Sequence, residues 1–130
     1  MGMSQPSIFD VLQHISSSIP GCLITSIVDV DSGMSLAAVH HPEIAGTDAA
    51  DAYHGELYRL IHRSMDMLDS PQFVEHLVLV GEGAIFLSCP VPGTRYFWHV
   101  VTGIDTTVGF TQALMRKYQQ DVETSVTDLM

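Results

Sequence analysis

Positive charge is what this chain has least of. Its 130 residues carry 5 basic against 15 acidic side chains, a formal net charge of −10, and Lys117 is the only lysine. Such a balance repels phosphate backbones and anionic membranes, so nucleic acid is not an expected partner and a basic protein surface is a better one. Cysteine is almost as scarce. Cys22 and Cys89 are the only two, and both sit inside apolar runs, which reads as small core side chains in a reducing compartment and not as a disulfide framework. No apolar run approaches the ~20 residues of a membrane span. The opening "MGMSQPSIFD" has neither the basic nor the apolar region of a secretory signal, and a cytoplasmic location is the expectation.

What the chain does have is apolar residues, 46% of the total. A single domain over 1–130 can bury roughly two thirds of its unfolded surface without covalent staples. "PSIFDVLQHISSSIPG" places Ile8, Val11, Leu12 and Ile15 at helical spacing, started by Pro6 and Ser7 and stopped by Pro20 and Gly21. Two extended runs follow, "CLITSIVDV" and "MSLAAVHH".

Between these runs Asp29 and Asp31 suggest a cation or phosphoryl site. A calcium loop starting at Asp29 fails at Gly33, Met34 and His40. Gly33 supplies the positive φ of a tight turn, so the stretch reads as a hairpin.

The longest helical stretch is residues 47–71. Ala50, Tyr53, Leu57, Leu60, Ile61 and Leu68 form its apolar stripe, widened by Ala49 and Met67 on one side and by Tyr58 and Met65 on the other. The apolar sector covers about half the circumference, more than the ~100° that packing on one sheet needs, so the helix has a second surface to cover. Glu56, Arg59, Arg63 and Asp66 hold the wet face. Strand-like runs at 73–81, 84–89 and 95–102 come next, the first apolar on both alternating sets and so expected to be covered on both sides. A last helix begins near 105–107 with Phe110, Leu114 and Tyr118 inward, and the tail "DVETSVTDLM" is expected to fray. The order is α-β-β-α-β-β-β-α, an α+β sandwich.

Nothing in the sequence assembles a nucleophile, a base and an oxyanion site, and no cofactor or phosphate-loop motif is present. Cys89 before Pro90 lacks a local base. The 7 histidines show no ligand spacing: His40 and His41 are adjacent, and His54 and His62 lie eight apart. His76 and His99 sit on strands with no acidic or cysteine neighbour at ligand distance, and surface or half-buried imidazoles are expected. His62 borders the broad apolar sector and could make association sensitive to pH.

In order and spacing, "SSSIPGCLITSIVDVDSGMSLA", the long helix, "FVEHLVLVGEGAIFLSCPVPGTRYFWHVVT" and "TVGFTQALMRKY" resemble the Roadblock family of dynein light chains and GTPase regulators, over about residues 16 to 118. The markers are Pro20-Gly21, Asp29, Asp31-Ser32-Gly33 and Gly109. The resemblance implies a profilin-like five-stranded antiparallel sheet, with the long helix on one face and both terminal helices on the other. It also implies no catalytic residues and no cofactor.

Family members form homodimers through the strand after the long helix and the flanks of the long helices. Carried onto this chain, the implied interface is Tyr58, His62, Met65, Phe73, Val74, Leu77, Val78 and Val80. An apolar edge strand and an over-wide apolar helix make the same demand, and one twofold axis meets both. Bacterial members often bind a small Ras-like GTPase on the paired long helices, which makes Glu56, Arg59, Arg63 and Asp66 a candidate partner face. The implied role is a non-enzymatic homodimeric regulator or scaffold. The alternative is a small-molecule sensor of the PAS or GAF type, which needs a ligand cavity between sheet and helix.

Overall fold

A computed structural model describes residues 6–68 and 75–129. The elements are α1 (Ile8–Ser18), β1 (Cys22–Asp29), β2 (Ser35–His40), α2 (Asp48–Asp66), β3 (Leu77–Val80), β4 (Ile85–Pro90), β5 (Tyr96–Thr102) and α3 (Val108–Thr127). All strand pairings are antiparallel, in the order β2-β1-β5-β4-β3. This is the α+β sandwich with the expected order of elements.

Side chains alternate across the sheet, and its two faces differ in kind. On one face Trp98, Val100, Leu87, Ile27 and Cys89 pack with Leu12 and Ile15 of α1 and with Met115, Val122 and Val126 of α3. On the other face, beneath α2, the buried apolar cluster among the described residues is smaller: Val28, Tyr58 and Phe97, with Val30, Ile61, Met65 and Leu77 partly buried against it and Ile24 and Val101 buried on the same side of the sheet.

Local chemistry sets the element ends. Ser7 caps α1 by accepting a bond from the Asp10 amide at 3.1 Å, while the Asp10 carboxylate accepts from the Ser7 amide. Thr107 caps α3 by accepting from the Phe110 amide. The β1–β2 connection is a hairpin turn. Asp29 Oδ1 accepts from the Asp31 amide at 2.8 Å, the Gly33 amide donates to Asp29 O, and Gly33 has φ +72°. The second carboxylate oxygen of Asp29 pairs with Arg95 at 3.0 Å, so both oxygens serve structure and neither is offered to a cation.

Three expectations need correction. Residues 121–127 do not fray: they continue α3, with Val122, Ser125 and Val126 buried at the same spacing as Met115 and Tyr118. Phe110, expected inward, is about half exposed, because the buried line of α3 runs through Thr111 instead. The strand expected from residue 73 begins at Leu77; Phe73 and Val74 lie outside the described residues. It is the edge strand expected, paired among the described residues with β4 alone, but it is not covered on both sides: Val80 is 70% exposed. Its apolar character on both sides reflects surface left open, not burial on two faces.

Candidate interaction surface

The orientation of α2 decides what this face can do. At ~100° per residue, Tyr53, Leu57 and Leu60 lie roughly 120–150° round the helix from Asp51, His54, Gly55 and Tyr58. The sheet receives the second set: Asp51, His54, Gly55 and Tyr58 are the buried residues of α2. Most of the apolar stripe expected inside points outward, with Tyr53 73% and Leu60 50% exposed and Leu57 half-buried, while Ile61 stays against the inner cluster. Two features draw the polar side inward. Gly55 allows close approach to the β1–β2 turn, where a Cβ at 55 would sit 3.3 Å from the Gly33 Cα. The sheet also presents polar partners at this height.

Those partners form a row. Ser26 of β1, His99 of β5 and Ser88 of β4 are register neighbours on the α2 side of the sheet. His99 Nε2–H donates to Asp51 Oδ1 at 2.7 Å, and His54 Nε2 lies 3.0 Å from Ser88 Oγ. The two imidazole rings stand edge to face at 4.5 Å. All four side chains are buried. Burial, and then the neighbouring His99, push the His54 pKa down to about 3 despite the opposing pull of Asp51. The surface or half-buried imidazoles expected from sequence are thus corrected at two positions, His54 and His99. The acid partner of His99 comes from another element and could not show as local spacing.

The cluster is not a nucleophile relay. Asp51 bonds His99 and leaves His54, the neighbour of Ser88, without an acid behind it, and Ser88 is closed off from solvent. Among the described residues no group of three or more His, Cys, Asp or Glu is arranged to hold a metal ion. Between α2 and the sheet lie this cluster and Tyr58, stacked on Phe97 at 4.7 Å.

The open feature of this face is a groove of about 320 Å³ between α2 and the sheet edge, lined by Ala50, Tyr53, His54, Leu57, Leu79 and Phe86. Leu79 of β3 and Phe86 of β4 are register partners and form its outer wall. The outward stripe of α2, the groove and the unpaired margin of β3 make one continuous apolar region at one end of the sheet. An unpaired, apolar edge beside an exposed apolar helix face is the arrangement a soluble chain covers by association.

The residues expected at the interface are distributed as follows. Tyr58 is enclosed within its own subunit at 4% exposure, stacked on Phe97, and is not on the open flank. Met65 leans on the same small cluster. His62 is half-exposed, 3.5 Å from Asp66. Leu77 and Val78 are half-buried and Val80 is exposed, all on the edge strand. Sequence reasoning missed Tyr53, Leu57, Leu60 and Leu79 as outer-surface residues by assigning the helix stripe to the core.

In the charged set, Glu56, Arg63 and Asp66 are exposed. Arg59 is turned to the hairpin, where its guanidinium donates to the carbonyls of Val30 and Asp31. Among the described residues no helix is long and apolar enough to cross a membrane.

No family model matches this sequence, and no curated protein matches it. Solved structures do match its fold. An MglB with a tetrameric arrangement is 13% identical, with a TM-score of 0.81 over 95% of this chain and 90% of its own. The Roadblock/LC7 domain from Streptomyces avermitilis is 12% identical, with a TM-score of 0.81 over 94% and 99%. The gliding protein MglB from Thermus thermophilus is 14% identical, with a TM-score of 0.80 over 98% and 94%. The chain has the Roadblock/LC7 fold.

Proposed function

We propose that this chain is a non-enzymatic regulator or scaffold that acts as a self-associated pair and binds a small Ras-like GTPase on the paired α2 helices. One observation carries the reading: α2 buries its Asp–His side and turns Tyr53, Leu57 and Leu60 outward beside the unpaired β3. A second copy supplies what that region lacks, a strand partner for β3 and an apolar helix for α2. The likeness of fold to an MglB of tetrameric arrangement agrees with self-association. The GTPase follows from the Roadblock resemblance and from the exposed charges of Glu56, Arg63 and Asp66 on the remaining side of α2.

Binding to a small GTPase is expected to depend on its nucleotide, GTP analogue against GDP, when measured by biolayer interferometry. Arg63→Glu combined with Glu56→Lys is expected to weaken that binding about tenfold or more while leaving the self-associated mass unchanged, because neither side chain enters the groove. Absence of binding in both nucleotide states removes the GTPase from the assignment, and an unchanged affinity in the double charge reversal removes this side of α2 as its docking face.

A further inference from the structure

α2 is held to the sheet by unusual means. The opposite face of the sheet holds α1 and α3 through an extended apolar cluster, whereas α2 rests on a smaller one, Val28, Tyr58 and Phe97 with Ile61, Met65 and Leu77 against it, on a face that also buries Ile24 and Val101, and on a buried polar contact. In that contact His54 is the pivotal group. Its Nε2 bonds Ser88, while its Nδ1 has no hydrogen-bond partner among the described residues. Its ring packs against the His99 ring at 4.5 Å and the Phe97 ring at 5.4 Å, with Phe86 at 5.9 Å.

The ionisable and polar groups around it come from every element packed there. α2 contributes Asp51, whose Oδ1 is bonded to His99 and whose Oδ2 is buried without a partner among the described residues, and the Tyr58 phenol. β5 contributes His99, β4 the Ser88 hydroxyl, and β1 the Ser26 hydroxyl. An added proton on Nδ1 would need an acceptor and would place a full charge in a buried site beside a second imidazole.

We propose that His54 is a proton-operated latch: neutral, it holds α2 on the Ser26–His99–Ser88 row, and protonated, it releases α2 and dismantles the groove that α2 forms with β3. The sign follows from linkage. A released α2 gives His54 its ordinary pKa near 6.5, whereas burial in the docked state lowers it to about 3. Docking is therefore fully supported above about pH 6.5 and weakens as pH falls below it, by about tenfold per unit. The latch stands on the buried cluster alone; only its consequence for self-association rests on the function proposed above.

The test is amide hydrogen exchange across α2 in the full chain, corrected for the intrinsic pH dependence of exchange. Between about pH 7.5 and about pH 5.5 the opening equilibrium of α2 is expected to rise about tenfold, with β5 and α1 far less affected. His54→Gln retains a terminal group that reaches Ser88 and cannot take the charge, so its α2 opening is expected to stay flat. His62→Gln is expected to keep the wild-type slope. A flat wild-type profile, or a His54→Gln slope equal to wild type, overturns the latch. Should His54→Gln fail to fold, NMR titration of the wild-type ring decides. A His54 ring that titrates near pH 6.5 with α2 still protected contradicts the latch, and one that stays neutral until α2 opens supports it. Sedimentation of the same samples keeps the two ideas apart: a monomer at every pH refutes self-association and leaves the exchange result standing.

Discussion

Trp98→Ala is expected to cost about 3–5 kcal/mol of unfolding free energy, the usual range for emptying a buried aromatic site. Trp98 is fully buried among Leu12, Ile15, Met115 and Val122, at the level where α1 and α3 meet the sheet. Its indole Nε1–H donates to Thr25 Oγ1 at 2.8 Å, and Thr25 is itself wholly enclosed. Truncation leaves both a large void and a buried hydroxyl without its donor. Native domains have only about 5–15 kcal/mol in hand, so the variant is expected to lose about a fifth or more of its stability. Trp98→Phe retains most of the volume and loses the donor, and is expected to cost about 1–3 kcal/mol. Urea melts at neutral pH measure both. A Trp98→Ala loss below about 1 kcal/mol would mean that the α1/α3 face is not the main source of stability.

The other large effect concerns association. Leu57→Glu combined with Leu79→Glu is expected to weaken self-association at least about 100-fold while leaving the fold intact. The two side chains face each other across the groove, and neither belongs to either core cluster. In the free subunit the new carboxylates stay in water, so circular dichroism is expected to change little, and so is the urea midpoint when both proteins are diluted below the range of association. In an assembled pair they would be buried against apolar side chains without a counter-charge, at a cost of several kcal/mol, and each 1.4 kcal/mol is about tenfold in Kd. Tyr58→Ala should behave in the opposite way. It removes a ring stacked on Phe97 inside the subunit, so its first effect falls on the hold of α2.

The architecture was legible in the sequence because its signals are local. Gly33 and the Asp29 carboxylate form the hairpin that the turn chemistry indicates, and the helix and strand periods give the order of elements. The way α2 faces the sheet was not legible, because periodicity locates an apolar stripe without saying whether the core or a partner covers it. Here the core side of the helix carries Asp51, His54 and Gly55, and its matching row, Ser26, His99 and Ser88, is split among three strands. One hint was available: a glycine in mid-helix at position 55 marks a close approach, and it lies on the same side as Tyr58. The end of α3 was missed for a related reason. Val122, Ser125 and Val126 continue the buried line of Met115 and Tyr118, but the polar residues between them disguise the period.

What holds the picture together is that α2 and β3 leave apolar surface for a second copy to cover. Sedimentation equilibrium of the unmodified chain tests this most directly. The expected result is a mass of at least twice the 14.2 kDa subunit, falling to a single subunit in the Leu57→Glu, Leu79→Glu variant. A lone 14.2 kDa species at a subunit concentration on the order of 100 μM, where even a weak interface populates pairs, would contradict it.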